Sequence, residues 1–356
     1  MTARLARTVS SLLAAAVAVS CTSYFEIPIE TPIRPKLDVS AFNRVLVAGF
    51  LSGGTEDVDA NLETVRLLRS QLRTKSELRV IDARMCGDDD HEVDGRRIQG
   101  WFIQSPASTK GNPAPAVLEI HGGPATLYGW SLMWEWQVMA ANGMSVYACN
   151  PRGSQGYGQA FLTANVADWG DGPMREVMGG IDSLVADGLV DPNRMGVTGG
   201  SYGGYLTSWI VGHTDRFKAA VTSRSVNDMV SQMLSGDIGG PTFGLFEYGV
   251  QPWEDWDLYR RHSPLTYAEK VTTPLLIQHS EQDLRCTITQ AEELFAVLRS
   301  LRRTVRLMRV PDESHELTRS GTPFRRVDNL RLIDEWFRHF LVEGKTRLPR
   351  IDPRRG

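Results

Sequence analysis

Apolar residues recur along this chain in two rhythms. Short apolar runs at 44–50, 97–104, 116–120, 145–149, 194–198, 219–222, 274–278 and 305–310 have the length and aliphatic content of buried strands. Between them apolar side chains return every three or four positions, at 58–72, 131–141, 174–187, 290–301 and 328–341, the spacing of one face of a helix. Strands that alternate with helices and have no polar face need cover on both sides. This predicts an α/β fold with a mostly parallel sheet and helices on both faces. In such sheets the chemistry lies at the carboxyl ends of the strands.

The pattern changes character toward the N-terminus. Arg4 and Arg7 precede an apolar segment at 12–19 and then Ser20-Cys21, the order of a secretory signal over 1–21, and the segment is too short to span a bilayer. Ala18-Val19-Ser20-Cys21 resembles the lipobox of bacterial lipoproteins, so the expectation is an exported protein, periplasmic or attached to a membrane through a lipidated Cys21. No later stretch is long and apolar enough to cross a bilayer. Prolines at 28, 32 and 35 mark 22–39 as an extended tether. Residues 40–87 read as a small β-α-β extension (44–50, 58–72 and 78–81) that covers too little surface to fold alone and holds no catalytic constellation. The acidic run from Asp88 to Glu92 lacks the spaced ligands and turn glycine of a calcium loop. It reads as a solvated linker, with the catalytic domain over 88–345 and an arginine-rich solvated tail at 346–356.

With 356 residues, one large α/β domain plus an extension fits the length, and a net charge of −3 with dispersed Lys and Arg gives no nucleic-acid footprint. The four cysteines, Cys21, Cys86, Cys149 and Cys286, show no CxxC, no zinc-ligand spacing and no disulfide framework. Cys149, within an apolar run, is expected to be a buried free thiol.

The chemistry centres on Gly199-Gly200-Ser201-Tyr202-Gly203, which fits G-x-S-x-G between a strand and a helical stretch. This is the pattern of a nucleophile elbow, where a sharp turn exposes a serine hydroxyl. A serine needs a base, and the base needs a partner that holds its tautomer. Of the downstream histidines, His213 and His339 lie on helices, His262 in a charged irregular stretch, and His279 at a strand end with no acid before it in the required order. His315 follows the strand at 305–310 through a loop, and Asp283 follows the strand at 274–278. Asp312 and Glu313 are rivals for the acid, but they share the loop of His315, so Asp283 is preferred. For the oxyanion, one donor is the Tyr202 N–H. The other comes from His121-Gly122-Gly123-Pro124 after the strand at 116–120, with Gly123 preferred to Gly122.

From about 93 to 342 the sequence resembles the catalytic domain of the prolyl oligopeptidase family, in its acylaminoacyl-peptidase-like branch. The matching pieces are Asp94-Gly95, Ile98-Gln99-Gly100-Trp101, His121-Gly122-Gly123-Pro124, the run from Asn150 to Gly158, Asp168-Trp169-Gly170, the run from Gly199 to Gly204, Ser263-Pro264, Asp283-Leu284-Arg285 and Glu313-Ser314-His315. The resemblance implies an α/β-hydrolase fold with Ser201, Asp283 and His315 as the triad. Two departures stand out. The about 70 residues between Cys21 and Val93 are too few for even two propeller blades of about 40 residues each, so the β-propeller usual in the family is expected to be missing. Cys286-Thr287 stands where the family often has a small apolar residue and proline, and is expected to loosen the Asp283 loop.

The expected activity is acyl transfer without metal or organic cofactor, a peptidase acting on short or acyl-blocked peptides. A carboxylesterase would use the same residues on small esters, and a non-catalytic surface lipoprotein would keep the fold for binding alone. Trp130, Trp134 and Tyr202 read either as an acyl pocket or as core. An exposed sheet edge would favour a homo-oligomer.

Overall fold

The computed structural model describes residues 44–46, 79–81, 84–88, 90–109, 111–129, 131, 133–238 and 241–349. The expected signal, Cys21, the tether and the helix at 58–72 lie outside these residues. Strands β1 (Arg44–Leu46) and β2 (Arg79–Ile81) pair in parallel.

The main sheet contains β3 (Arg84–Asp88), β6 (Gly100–Gln104), β7 (Ala116–Ile120), β8 (Ser145–Cys149), β9 (Met195–Gly200), β10 (Ala219–Ser223), β11 (Leu275–Ser280) and β12 (Val305–Val310). Its order is β12-β11-β10-β9-β7-β8-β6-β3. The strands from β12 to β8 are parallel, and β6 and β3 extend the sheet through antiparallel pairings. Because β3 belongs to this sheet, the sheet begins at Arg84, ahead of the boundary expected at residue 88.

The acidic run is not a solvated linker. Its end forms β4 (His91–Val93), which pairs antiparallel with β5 (Arg96–Ile98). Asp94 (φ 53°) and Gly95 (φ 73°) make the two-residue turn between them, the residue pair such a hairpin favours. The run expected as one strand at 97–104 is therefore two, parted at Gln99. His91 holds the hairpin down: its Nε2 is 2.7 Å from the Glu176 carbonyl oxygen and its Nδ1 is 3.2 Å from the Tyr147 hydroxyl.

The alternation of each strand divides its side chains between two cores. Leu118, Ile120, Tyr147, Cys149, Ala220, Leu275 and Ile277 pack with α2 (Asp171–Ala186), α3 (Tyr202–His213) and α4 (Thr289–Ser300). Val117, Val146, Ala148, Val221 and Leu276 pack with α1 (Trp134–Ala141) and α5 (Pro323–Phe337). Helices thus cover both faces, as the apolar strands require. The loop after β8 is fixed by Arg152, whose Nε is 2.8 Å from Glu176 Oε1 while its Nη2 reaches Asp94 at 3.2 Å. This ties the loop to α2 and to the hairpin turn. Helix α5 starts earlier than expected, with a proline at its first position, where the missing N–H costs nothing.

Asp334 on α5 is a buried carboxyl, and burial raises its pKa from 3.8 to about 6, against a hydrogen bond from Asn142. A raised native pKa means that the protonated form stabilises the fold below about pH 4, and that this contribution is lost as pH rises through 6. Asparagine does not titrate. Asp334→Asn is therefore expected to gain stability relative to the native chain between pH 4 and pH 7, by about 2–3 kcal/mol. Urea unfolding of both proteins at the two pH values measures it; an unchanged gap would mean that Asp334 stays charged in the fold.

Candidate active site

Strand β9 ends at Gly200, and α3 begins one residue after Ser201. Ser201 itself has φ 60° and ψ −121°, a conformation that costs a non-glycine residue on the order of 1–3 kcal/mol and that persists only where its surroundings impose it. Here they do. A Cβ on Gly203 would lie 2.0 Å from the Ile120 carbonyl oxygen, and one on Gly199 would lie 2.5 Å from the backbone of Gly203. The two outer glycines of the motif thus let the turn press against the end of β7. Ser201 N–H donates to the Ser223 carbonyl at 3.0 Å, anchoring the elbow to β10 as well.

Asp283 stands beyond the end of β11 with its side chain fully buried. Its Oδ1 accepts the N–H groups of Arg285 and Cys286, each at 2.9 Å. Its Oδ2 is 2.7 Å from Nδ1 of His315, which arrives from the loop after β12. A carboxylate this close requires the proton on Nδ1, so the acceptor nitrogen of the neutral ring is Nε2, the tautomer of a general base. The expectation that Cys286-Thr287 loosens this loop is incorrect: the Cys286 amide is one of the two donors that hold the carboxylate. The Cys286 side chain is buried, and burial pushes its thiol well above the ordinary range, with the Asp283 charge adding to the effect and the Ser201 side chain opposing it.

The glycine loop meets the elbow from the other side. A Cβ on Gly122 would lie 3.3 Å from Ser201 Cβ and 3.1 Å from the Gly200 carbonyl oxygen. The Gly122 carbonyl is engaged by the Thr126 hydroxyl. Neither the Gly123 nor the Tyr202 N–H donates to another of the described residues, so both are free for a ligand.

The other candidates separate clearly. Glu313 Oε1 accepts the Thr322 N–H at 3.0 Å, at the start of α5, and Asp312 takes a turn conformation at φ 61°. Neither forms an ion pair or hydrogen bond with His315 among the described residues. His213 stacks on Trp209, with ring centroids 4.3 Å apart, and His339 Nε2 bonds the Arg347 carbonyl. The Tyr202 side chain is core: it is 1% exposed, and its hydroxyl donates to the Trp169 carbonyl at 2.9 Å. Trp134 is 64% exposed, and Trp130 lies outside the described residues. One neighbour has a role that the sequence does not signal. His279, buried at the end of β11, has Nε2 2.7 Å from the Cys286 carbonyl and 3.5 Å from Asp283 Oδ2. Burial lowers its pKa, against the Cys286 carbonyl and the Asp283 charge.

Residues 130–343 match the family model of the prolyl oligopeptidase family. The chain is 45% identical over 246 residues to the uncharacterized peptidase YuxL of Bacillus subtilis (68% of this chain, 37% of that protein). It is 31% identical over 236 residues to dipeptidyl-peptidase 5 of Schizosaccharomyces pombe (65% and 34%). It therefore spans only about a third of the length of these relatives. Among solved structures, the acylaminoacyl peptidase of Pyrococcus horikoshii superposes with a TM-score of 0.71 at 30% identity, over 77% of this chain and 43% of that one. The sheet order, the elbow and these likenesses together make the fold that of an α/β-hydrolase. A match across more than half of the chain, on the stretch that builds the elbow and the Asp283 and His315 loops, places this chain in the prolyl oligopeptidase family.

Proposed function

We propose that this chain is the catalytic part of a serine peptidase that acts by acyl transfer on short or acyl-blocked peptides. The observation that carries the proposal is the 2.7 Å contact between His315 and a fully buried Asp283, beside a serine held at φ 60° whose side chain meets that of Cys286, three residues on from Asp283. In this reading Ser201 Oγ attacks the scissile carbonyl while His315 Nε2 takes its proton. Asp283 holds the imidazole and stabilises the imidazolium that forms. The free N–H groups of Gly123 and Tyr202 receive the oxyanion, a contribution of about 3 kcal/mol for each donor. His315 then protonates the leaving amine, and water releases the acyl group by the reverse sequence.

Peptide substrates are supported by the relatives, named as dipeptidyl and acylaminoacyl peptidases. The same machinery would accept esters, so the test compares N-acyl-aminoacyl and dipeptidyl anilides with p-nitrophenyl esters. Anilide cleavage is expected; ester turnover without it would overturn the peptidase reading. The proposal also puts the protein outside the cytoplasm with a lipid on Cys21, supported by the order of charge, apolar run and small residues before it. Metabolic labelling with an alkyne fatty acid should mark the protein, and Cys21→Ala should remove the mark.

A further inference from the structure

Arg224, which immediately follows β10, has a backbone φ of 41°, a left-handed conformation in which a non-glycine residue needs a reason. Its amide is fixed by the Gln278 carbonyl at 2.9 Å. From there the side chain lies against the elbow: a Cβ on Gly200 would be 3.0 Å from both Nε and Nη2 of Arg224, and Gly200 directly precedes Ser201. Nη1 donates to the Thr318 hydroxyl at 2.7 Å. Nε is buried without a partner, and among the described residues Nη2 has no acceptor and no carboxylate forms an ion pair with this guanidinium. Elsewhere the contrast is plain: Arg152 and Arg309 each meet carboxylates directly. At Arg224 burial works against the charge and so does Arg319, while Glu135, Glu316 and Asp283 attract it only from a distance.

A guanidinium half-withdrawn from water, with a buried unpaired Nε and no counter-charge, is costly, and its planar fork matches a carboxylate. Arg224 and His315 line the same small cavity with Leu317 and Thr318, and His315 is the group that hands its proton to the departing half of the substrate. We propose that Arg224 is a specificity residue that binds a carboxylate on the leaving-group side of the scissile bond. This inference rests on the acyl-transfer reading above and adds the substrate's charge and the half that bears it. Two sources share that chemistry: the α-carboxylate of a C-terminal leaving residue, and the side chain of a leaving Asp or Glu.

The test uses matched acyl dipeptides with a neutral leaving residue, as free acid and as C-terminal amide, and a third in which an amidated leaving residue carries a glutamate side chain. The readout is the ratio of kcat/KM for each charged form to the neutral amide, which cancels any general loss of activity. The native chain should favour one charged form about 10- to 100-fold, the range of a charge-assisted hydrogen-bonded pair. The free acid identifies the α-carboxylate as the ligand, and the glutamate form the side chain. Arg224→Gln should bring that ratio close to one, and Arg224→Lys should keep part of it. A native ratio near one overturns the proposal without any variant, and so does an Arg224→Gln ratio equal to the native one. If no peptide is cleaved but p-nitrophenyl esters are, the peptidase reading fails separately. The subsite is then read from inhibition of ester turnover by the acid and amide forms of one N-acyl dipeptide, where equal inhibition overturns it.

Discussion

Ser201→Ala is expected to abolish labelling by a fluorophosphonate and to lower kcat by about a millionfold, the scale seen when the nucleophile of such a triad is removed. The reason lies in the division of labour at the site. In the proposed mechanism His315 and Asp283 only prepare a proton acceptor, and the amides of Gly123 and Tyr202 only receive charge once a tetrahedral centre has formed. Without the hydroxyl neither has a reaction to assist, and what remains is water attack on a bound substrate. The variant should fold, because the elbow is held by backbone contacts: Ser201 N–H to the Ser223 carbonyl and Tyr205 N–H to the Ser201 carbonyl. An unchanged urea midpoint together with lost labelling is the expected pair of results. Equal labelling of variant and native protein would mean that another residue is the nucleophile.

Asp283→Asn is expected to lower kcat by about 10⁴-fold with little change in KM. Oδ1 of Asp283 is committed to two backbone N–H groups, so the asparagine carbonyl must take that place and its NH2 must face His315. A donor opposite Nδ1 forces the imidazole proton onto Nε2, and the base is then blocked toward the serine. The loop keeps its shape while the chemistry stops. Labelling rates should fall in parallel with kcat, since both depend on the same proton transfer. Glu313→Gln serves as the control, because Glu313 caps α5 through Thr322, and it should keep kcat within about tenfold. The opposite outcome, a small loss at Asp283 and a large one at Glu313, would reassign the acid.

Much of this site was legible in the sequence because its requirements are local. An elbow needs glycines two positions either side of the serine, since backbone passes within contact distance at Gly199 and Gly203. The proposed acid and base need only to follow strands, so Asp283 and His315 could be picked by position after apolar runs. The alternation of strands and helices was legible for the same reason: burial on both faces leaves a run without polar residues, whatever its neighbours are.

What the sequence left open depends on groups far apart in the chain. His91 reads as part of an acidic linker until α2 brings the Glu176 carbonyl to it across 85 positions. Cys286 looks like a weakness in its loop until its amide is seen to hold Asp283. Tyr202 can be pocket or core by sequence, and only the packing of Trp169 against it makes it core. Arg224 has no motif at all; its place beside Ser201 follows from β10 lying next to β9 in the sheet. By itself the sequence determined the α/β class, the strand-turn-helix at Ser201 and the placing of Asp283 and His315 after strands, because each is written in short-range spacing. The strand order β12-β11-β10-β9-β7-β8 brings the loops of residues 122, 201, 224, 283 and 315 to one edge of the sheet. That convergence was decided only by tertiary structure, since strand neighbours are chosen by the packing of whole faces and not by any local run of residues.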